Sequence, residues 1–137
     1  MNLDFASVWE MISDIVPEND ALICGDEIIS WKDYDLQSSK IATALKNAGL
    51  GPNSKAGLYL NNSNEYLIGQ NAIFKIGGVP INVNYRYVAE ELIYLLDNSD
   101  SEAVYYHACY SSRIKEISGS LPNIKAWIEI EIGRAHV

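Results

Sequence analysis

The sequence predicts an α/β protein in which a β-hairpin plus helix is followed by a βαβαβαβ unit with a mostly parallel sheet. Helix-spaced apolar patterns alternate with short apolar strand patterns along the chain. Helices of this length between strands imply right-handed crossovers, which place successive strands parallel. With 137 residues, the chain is long enough for one core and short for two.

The N-terminal part of the chain predicts a helix, a hairpin and a second helix. Apolar residues recur at helical spacing from Phe5 to Ile15, and "ALICGDEIISW" contains two short strands joined at the turn Gly25-Asp26. Ser30 with Asp33 matches a capping box that opens the next helix. That helix is expected to stop in "AGLGP", where Gly49 suits a left-handed C-cap position.

Four strands and three helices are expected after residue 55. The strands are "AGLYL", "VPINV", "EAVYYH" and "IKAWIEI". Asn62, with Glu65 three residues later, is expected to cap the first helix, and the small residues Gly69 and Ala72 would let it approach the sheet closely. The second helix is predicted to bury Val88, Leu92, Leu95 and Leu96.

Composition limits the partners and the compartment. The formal net charge is −8 and no Lys/Arg-rich run exists, so a nucleic-acid partner is not expected. Because Cys24 and Cys109 are far apart in sequence, reduced thiols in a cytoplasmic protein are expected, with a single disulfide left open. No run approaches the ~18 apolar residues of a membrane span, so no transmembrane segment is predicted.

The last seven residues, "EIGRAHV", are treated separately. They resemble the in-frame translation of a short-read sequencing adapter, so residues 131–137 are interpreted as a non-native tail and residues 1–130 as the natural domain. The alternative is that the segment is a genuine strand end.

The stretch "NVNYRY" is the first candidate functional site. It follows a predicted parallel strand, and ligands of parallel α/β sheets bind beyond the carboxyl ends of strands. Asn84, Tyr85 and Arg86 are the candidate residues for a cleft wall. Arg86 offers forked donors to an anionic ligand, although pairing with Glu90 or Glu91 is the favoured interpretation.

Several chemistries lack their sequence motifs. There is no G-x-G-x-x-G and no G-x-x-x-x-G-K-[ST], and one natural histidine with two scattered cysteines cannot form a zinc site. No metal site is therefore predicted. Ser63 is interpreted as a helix cap rather than a nucleophile, and His107 as a packed, hydrogen-bonded residue rather than a catalyst.

Four longer segments occur in a fixed order along the chain: "GDEIISWKDYD", "AGLGPNSKAGLYLNNSNEYL", "AIFKIGGVPINVN" and "EELIYLLDNSDSEAVYYH". In this order they resemble the N-terminal part of adenylate-forming, AMP-dependent synthetases and ligases. The stretch from Val79 to His107 most resembles fatty acyl-CoA synthetases. The resemblance covers roughly Leu3 to Ile130, and it implies that the chain forms an incomplete part of that enzyme fold.

The resemblance implies a parent enzyme that activates a fatty or aryl carboxylic acid with ATP and Mg²⁺ and then forms a thioester with CoA. The family's phosphate loop and catalytic lysine lie downstream of the matching region, so no catalytic and no cofactor-binding residue is assigned here. Lys55, Lys75 and Lys115 are not candidates for that lysine. The 137 residues are expected to bind no cofactor and to be inactive alone.

A second hypothesis is a complete small α/β binding module that resembles a flavodoxin or a response regulator. Such a module would need its own phosphate-binding loop or acidic pocket. The segment "AGLYLNNSNEY" has asparagine where a phosphoacceptor aspartate would be expected, which counts against this hypothesis.

Overall fold

The computed structural model describes residues 4–132. Helix α1 (Phe5–Ile15) is followed by β1 (Asp20–Cys24), β2 (Glu27–Ser30) and α2 (Trp31–Asn47). The remaining elements are β3 (Lys55–Tyr59), α3 (Asn64–Lys75), β4 (Val79–Asn82), α4 (Ala89–Asn98), β5 (Ser101–His107), α5 (Ser111–Ile117) and β6 (Ala126–Ile130). Two 3₁₀ turns, Ala108–Tyr110 and Ser118–Ser120, flank α5.

The predicted hairpin and both predicted ends of α2 are confirmed. Strands β1 and β2 pair antiparallel, and Cys24 opposite Glu27 closes a two-residue turn in which Gly25 has φ of +59°. The hydroxyl oxygen of Ser30 accepts a hydrogen bond of 3.2 Å from the amide of Asp33 and so begins α2. Gly49, at φ of +99°, follows that helix in the left-handed region.

The four later strands form one parallel sheet in the order β4-β3-β5-β6. Leu58 on β3 lies opposite Asn82 on β4 and Tyr105 on β5. The chain first steps outward from β3 to β4 and then crosses back to β5. Right-handed crossovers therefore place α3 on one face of the sheet and α4 and α5 on the other. The parallel sheet itself is as the sequence predicted.

Each face of the sheet has its own apolar core. On one face α2 and α3 cover the sheet, and the buried residues include Leu45, Leu58, Ala72, Ile73 and Tyr105. On the other face α4 and α5 cover it, and the buried residues include Val83, Leu92, Leu96, Val104 and Ile117. A smaller cluster joins the hairpin to α2 and α3 through Leu22, Ile29, Tyr34 and Ile68.

Two details of the helix predictions are wrong. The N-cap of α3 is Ser63, whose oxygen accepts from the amide of Tyr66 at 3.2 Å; Asn62 lies one residue too early for this geometry. Val88 is 51 % exposed, because it is the residue before α4 rather than part of its buried face. The interpretation of Ser63 as a cap is confirmed.

Helix α1 packs against α3 mainly through aromatic and ionic contacts. The ring centroids of Trp9 and Phe74 are 5.8 Å apart. The ammonium of Lys75 lies 2.8 Å from Glu10 on α1 and 2.6 Å from Asp35 on α2. These contacts tie three helices together and give Lys75 a structural role.

Strand β6 ends at Ile130, and the structure describes only two residues of the suspected tail. Of these, Ile132 packs against the core on the α2/α3 face. Residues 133–137 lie outside the described part of the chain, so the interpretation of residues 131–137 as a non-native tail stays a prediction. Within residues 4–132 no helix combines the length and the hydropathy that crossing a bilayer requires.

Candidate functional site

The candidate site lies at the carboxyl edge of the parallel sheet. After β3 the chain turns toward α3 on one face, and after β5 it turns toward α5 on the opposite face. Divergence of neighbouring connections opens a crevice outside the strand ends, which is where α/β sheets bind ligands. The loop after β4 borders the same crevice. The strand end that "NVNYRY" singled out as a candidate site therefore lies at the end of the sheet where the connections diverge.

A tight turn follows β4 and sets the direction of the candidate residues. The side-chain oxygen of Asn84 accepts from the amide of Arg86 at 2.9 Å, and its carbonyl accepts from the amide of Tyr87 at 3.0 Å. An asparagine that bonds the backbone two residues on stabilises such a turn. Asn84 therefore shapes the loop, whereas Tyr85 and Arg86 extend into the crevice.

The crevice is an open groove of about 410 Å³ lined by aromatic and charged side chains. Its volume lies in the range of small-molecule sites. The lining contains four tyrosines, two arginines, a cysteine, a serine and a glutamate: Tyr59, Tyr85, Tyr87, Tyr110, Arg86, Arg113, Cys109, Ser112 and Glu116. Of the three predicted wall residues, Tyr85 and Arg86 are in this lining and Asn84 is not.

The favoured interpretation of Arg86 is wrong. Among the described residues, the ion pairs do not include Arg86, and the Glu91 carboxylate instead accepts from the amide of Val88 at 3.1 Å. The guanidinium carbon of Arg86 lies 5.6 Å from the ring centroid of Tyr85. This cation–π contact leaves the positive charge of Arg86 facing the groove.

Two stacked tyrosines form the wall of the groove between β3 and β5. The rings of Tyr59 and Tyr110 have centroids 4.4 Å apart and are inclined by 14°. The hydroxyl of Tyr110 donates to the side-chain oxygen of Asn61. Burial, with the neighbouring Cys109 and Tyr59, raises the pKa of Tyr110 to about 12. Burial also raises the pKa of Tyr59, although Arg113 opposes this shift, so both phenols are neutral at physiological pH.

At the end of β5 a histidine and a cysteine are in contact. Nδ1 of His107 lies 2.8 Å from Sγ of Cys109. His107 is half-buried and Cys109 is exposed, and neither cysteine is in a disulfide. The prediction that His107 is hydrogen-bonded is confirmed.

The sequence analysis missed Tyr59, Cys109, Tyr110 and Arg113 as neighbours of the "NVNYRY" loop. The same rule that singled out the end of β4 applies to the ends of β3 and β5, where these residues lie. The order of strands in the sheet was the information needed to bring the three ends together.

The three lysines named in the sequence analysis do not line this groove. Lys55 is the first residue of β3 and so lies at the amino end of the strands, away from the groove. Lys75 is paired with Glu10 and Asp35, and Lys115 is exposed on α5. Within the described residues, no group of three or more His, Cys, Asp or Glu side chains is arranged to hold a metal ion.

Comparison with known proteins matches the AMP-binding enzyme family to residues 13–133. A medium/long-chain-fatty-acid–CoA/3-oxocholest-4-en-26-oate–CoA ligase of Mycobacterium marinum is 37 % identical over 131 residues, which are 96 % of this chain and 24 % of the relative. A 3-oxocholest-4-en-26-oate–CoA ligase of Rhodococcus rhodochrous is 35 % identical over 97 % of this chain and 24 % of its own. The chain thus spans about a quarter of the length of these curated relatives.

Solved structures match the fold at lower identity. A long-chain-fatty-acid CoA ligase, described as putative, from Rhodopseudomonas palustris superimposes with a TM-score of 0.87 at 21 % identity, over 96 % of this chain and 34 % of that one. An anthranilate CoA ligase in complex with anthranoyl-AMP gives 0.85 at 20 %, over 95 % and 26 %. These matches do not favour the small flavodoxin-like or response-regulator-like module.

Proposed function

Because the chain belongs to the AMP-binding enzyme family, we propose that it is the N-terminal part of an ATP-dependent acyl-CoA ligase. The parent activates a carboxylic acid as an acyl-adenylate with release of pyrophosphate and then transfers the acyl group to the thiol of CoA. The observation that carries this proposal is the 37 % identity to a fatty-acid–CoA ligase across 96 % of the chain.

We propose a medium- or long-chain fatty acid as the substrate class. This choice follows from the names of the relatives at 35–37 % identity, which include fatty acids and a steroid carboxylate. The aryl-acid ligases match at only 16–20 % identity and support the fold alone. ATP, Mg²⁺ and CoA are the cofactors that the family chemistry requires of the parent.

The described residues supply a wall of the parent's cleft in this proposal. Tyr85 and Arg86 present an aromatic ring and a positive charge at the carboxyl edge of the sheet, and Asn84 holds their loop. A net charge of −8 supports small-molecule partners over nucleic acid. Two cysteines outside any disulfide support a reducing, cytoplasmic location.

The test is to recover the source locus, sequence past the codon for residue 130 and express the whole open reading frame. ATP–pyrophosphate exchange is then measured with fatty acids of several lengths and with benzoate. The expected result is exchange with medium- or long-chain acids by the longer protein and none by the 137-residue chain. Exchange by the short chain, or none by a well-folded longer protein with any carboxylic acid, contradicts the proposal.

A further inference from the structure

The chain turns sharply after β5 and places a thiol beside an imidazole. The strand stops at His107, and the 3₁₀ turn Ala108–Tyr110 follows at once. This turn places Sγ of Cys109 2.8 Å from Nδ1 of His107. At that distance the thiol donates a hydrogen bond to Nδ1 when the imidazole carries its own proton on Nε2.

We propose that Cys109 is a covalent modification site at which His107 accepts the thiol proton and the sulfur attacks soft carbon electrophiles. With an α-halo amide, the S–H bond breaks as its proton passes to Nδ1 of His107. The S–C bond forms as the carbon–halogen bond breaks, and the halide leaves with the electron pair of that bond. No oxidation or reduction takes place.

The imidazole is what makes the reaction fast. The nucleophile is the thiolate, and an adjacent base generates it from the thiol. Partial burial raises the pKa of the Cys109 thiol, so without an acceptor the sulfur would be less reactive than a free cysteine. His107 is half-buried and within hydrogen-bond reach of the sulfur. As a proton acceptor it offsets the loss of reactivity that burial causes.

The position of Cys109 links its modification to the groove. The residue is exposed, so a reagent reaches it from solvent, and it lines the groove together with Tyr59, Arg86 and Arg113. The neighbouring ring of Tyr110 meets His107 edge-on at 6.4 Å and stacks on Tyr59, which holds the turn in place. An adduct on the sulfur therefore occupies space that a ligand of the groove would use.

Cys24 provides an internal control in the same molecule. It ends β1 in the hairpin, is half-buried, and makes no side-chain hydrogen bond with a described residue. Both cysteines meet the same reagent concentration in one tube. A difference between their rates thus reports their surroundings.

The experiment treats the 137-residue chain with iodoacetamide at pH 7 and follows both cysteines by peptide mass spectrometry, in buffer and in unfolding concentrations of urea. We expect Cys109 to react at least about tenfold faster than Cys24 in buffer, and several-fold faster than Cys109 itself in urea. In His107→Gln, the Cys109 rate falls at least to the value in urea while the Cys24 rate stays unchanged.

Three outcomes overturn the proposal. They are a Cys109 rate in buffer no greater than that of Cys24, a rate no greater than in urea, or an unchanged rate in His107→Gln. A Cys24 rate equal to its rate in urea would show that the His107→Gln variant is unfolded. In that case His107→Phe, which keeps a ring at the strand end, is tested instead. The comparison of buffer with urea needs no variant, so a Cys109 rate no greater than in urea overturns the proposal even if both variants unfold.

Discussion

The aromatic ring of Tyr105 occupies the space that a side chain at Gly69 would fill. A Cβ atom built on Gly69 would lie 2.5 Å from Cε1 and 2.7 Å from Cδ1 of Tyr105. The ring is 4 % exposed, and its hydroxyl donates to the carbonyl of Glu65 at 2.9 Å. Helix α3 therefore rests directly on β5 at a contact that only glycine permits.

Gly69→Ala is expected to destabilise the chain. Alanine is favoured over glycine inside a helix by about 1 kcal/mol. However, the added methyl group would clash with the ring of Tyr105, which is buried and cannot move aside easily. The overpacking cost should exceed that gain and leave a net loss of about 1–3 kcal/mol in the free energy of unfolding, measured with urea.

Gly119→Ala is the matched control, because a Cβ there meets nothing within 4 Å. It should change the free energy of unfolding by no more than about 0.5 kcal/mol. Equal stabilities of the two variants would show that α3 can shift away from the sheet at no cost.

Loss of both acidic partners of Lys75 is expected to destabilise the junction of α1, α2 and α3. The Lys75 side chain is 8 % exposed, whereas those of Glu10 and Asp35 are 50 % and 36 % exposed. Glu10→Gln with Asp35→Asn leaves a buried ammonium without a charged partner. Because the partners are partly solvated, the expected cost in urea unfolding is about 1–3 kcal/mol.

Adding Lys75→Met to that double variant should recover most of the lost stability, since an apolar chain of similar length needs no partner. Failure of Lys75→Met to recover any stability would mean that the acids act elsewhere than on Lys75.

The same ion pairs predict a loss of stability at high pH. Burial lowers the pKa of Lys75, but the hydrogen bonds and charges of Asp35 and Glu10 outweigh it, so the pKa is raised above 10.5. The unfolded chain then loses this proton first. The stabilisation is fully present below pH 10.5 and is lost as pH rises through the folded value.

Urea unfolding at pH 8 to 11.5 tests this prediction by comparison with Lys75→Met, which has the same tyrosines. Above pH 10.5 the free energy of unfolding of the wild type should fall relative to that of Lys75→Met. Parallel curves across this range would contradict the raised pKa.

Ser63→Ala should weaken the start of α3. The hydroxyl oxygen accepts from the amide of Tyr66 at 3.2 Å, and loss of such a cap costs about 1 kcal/mol. Asn62→Ala is the neighbouring control and should change urea unfolding little. A larger effect at Asn62 than at Ser63 would restore the cap assignment made from sequence.

Arg86→Ala in the longer parent should lower kcat/KM for the fatty acid modestly. In our proposal Arg86 shapes the cleft wall, and its exposed contact with the Tyr85 ring at 5.6 Å is of a kind worth about 0.5–1 kcal/mol. Lys115→Ala, on the exposed surface of α5, is the control and should have no effect. A loss of several orders of magnitude with unchanged thermal unfolding would give Arg86 a direct part in the chemistry.

The fold was more predictable than the site, and for a physical reason. Helix caps and turns such as Ser30 and Gly25 act over three or four residues, so their signals are local. Asn62 was misassigned because two adjacent residues, Asn62 and Ser63, both have capping side chains. The contact between His107 and Cys109 depends on a 3₁₀ turn, and the spacing of apolar residues does not predict this turn.

The sequence by itself determined the elements, their order and the parallel sheet, because apolar periodicity and short crossovers leave few other topologies. It also predicted one candidate edge for ligand binding, at the end of β4. Only the tertiary structure decided what meets at that edge. The strand order places the ends of β3, β4 and β5 side by side, and so joins Arg86 to Tyr59 and Cys109 across gaps that local sequence signals do not span.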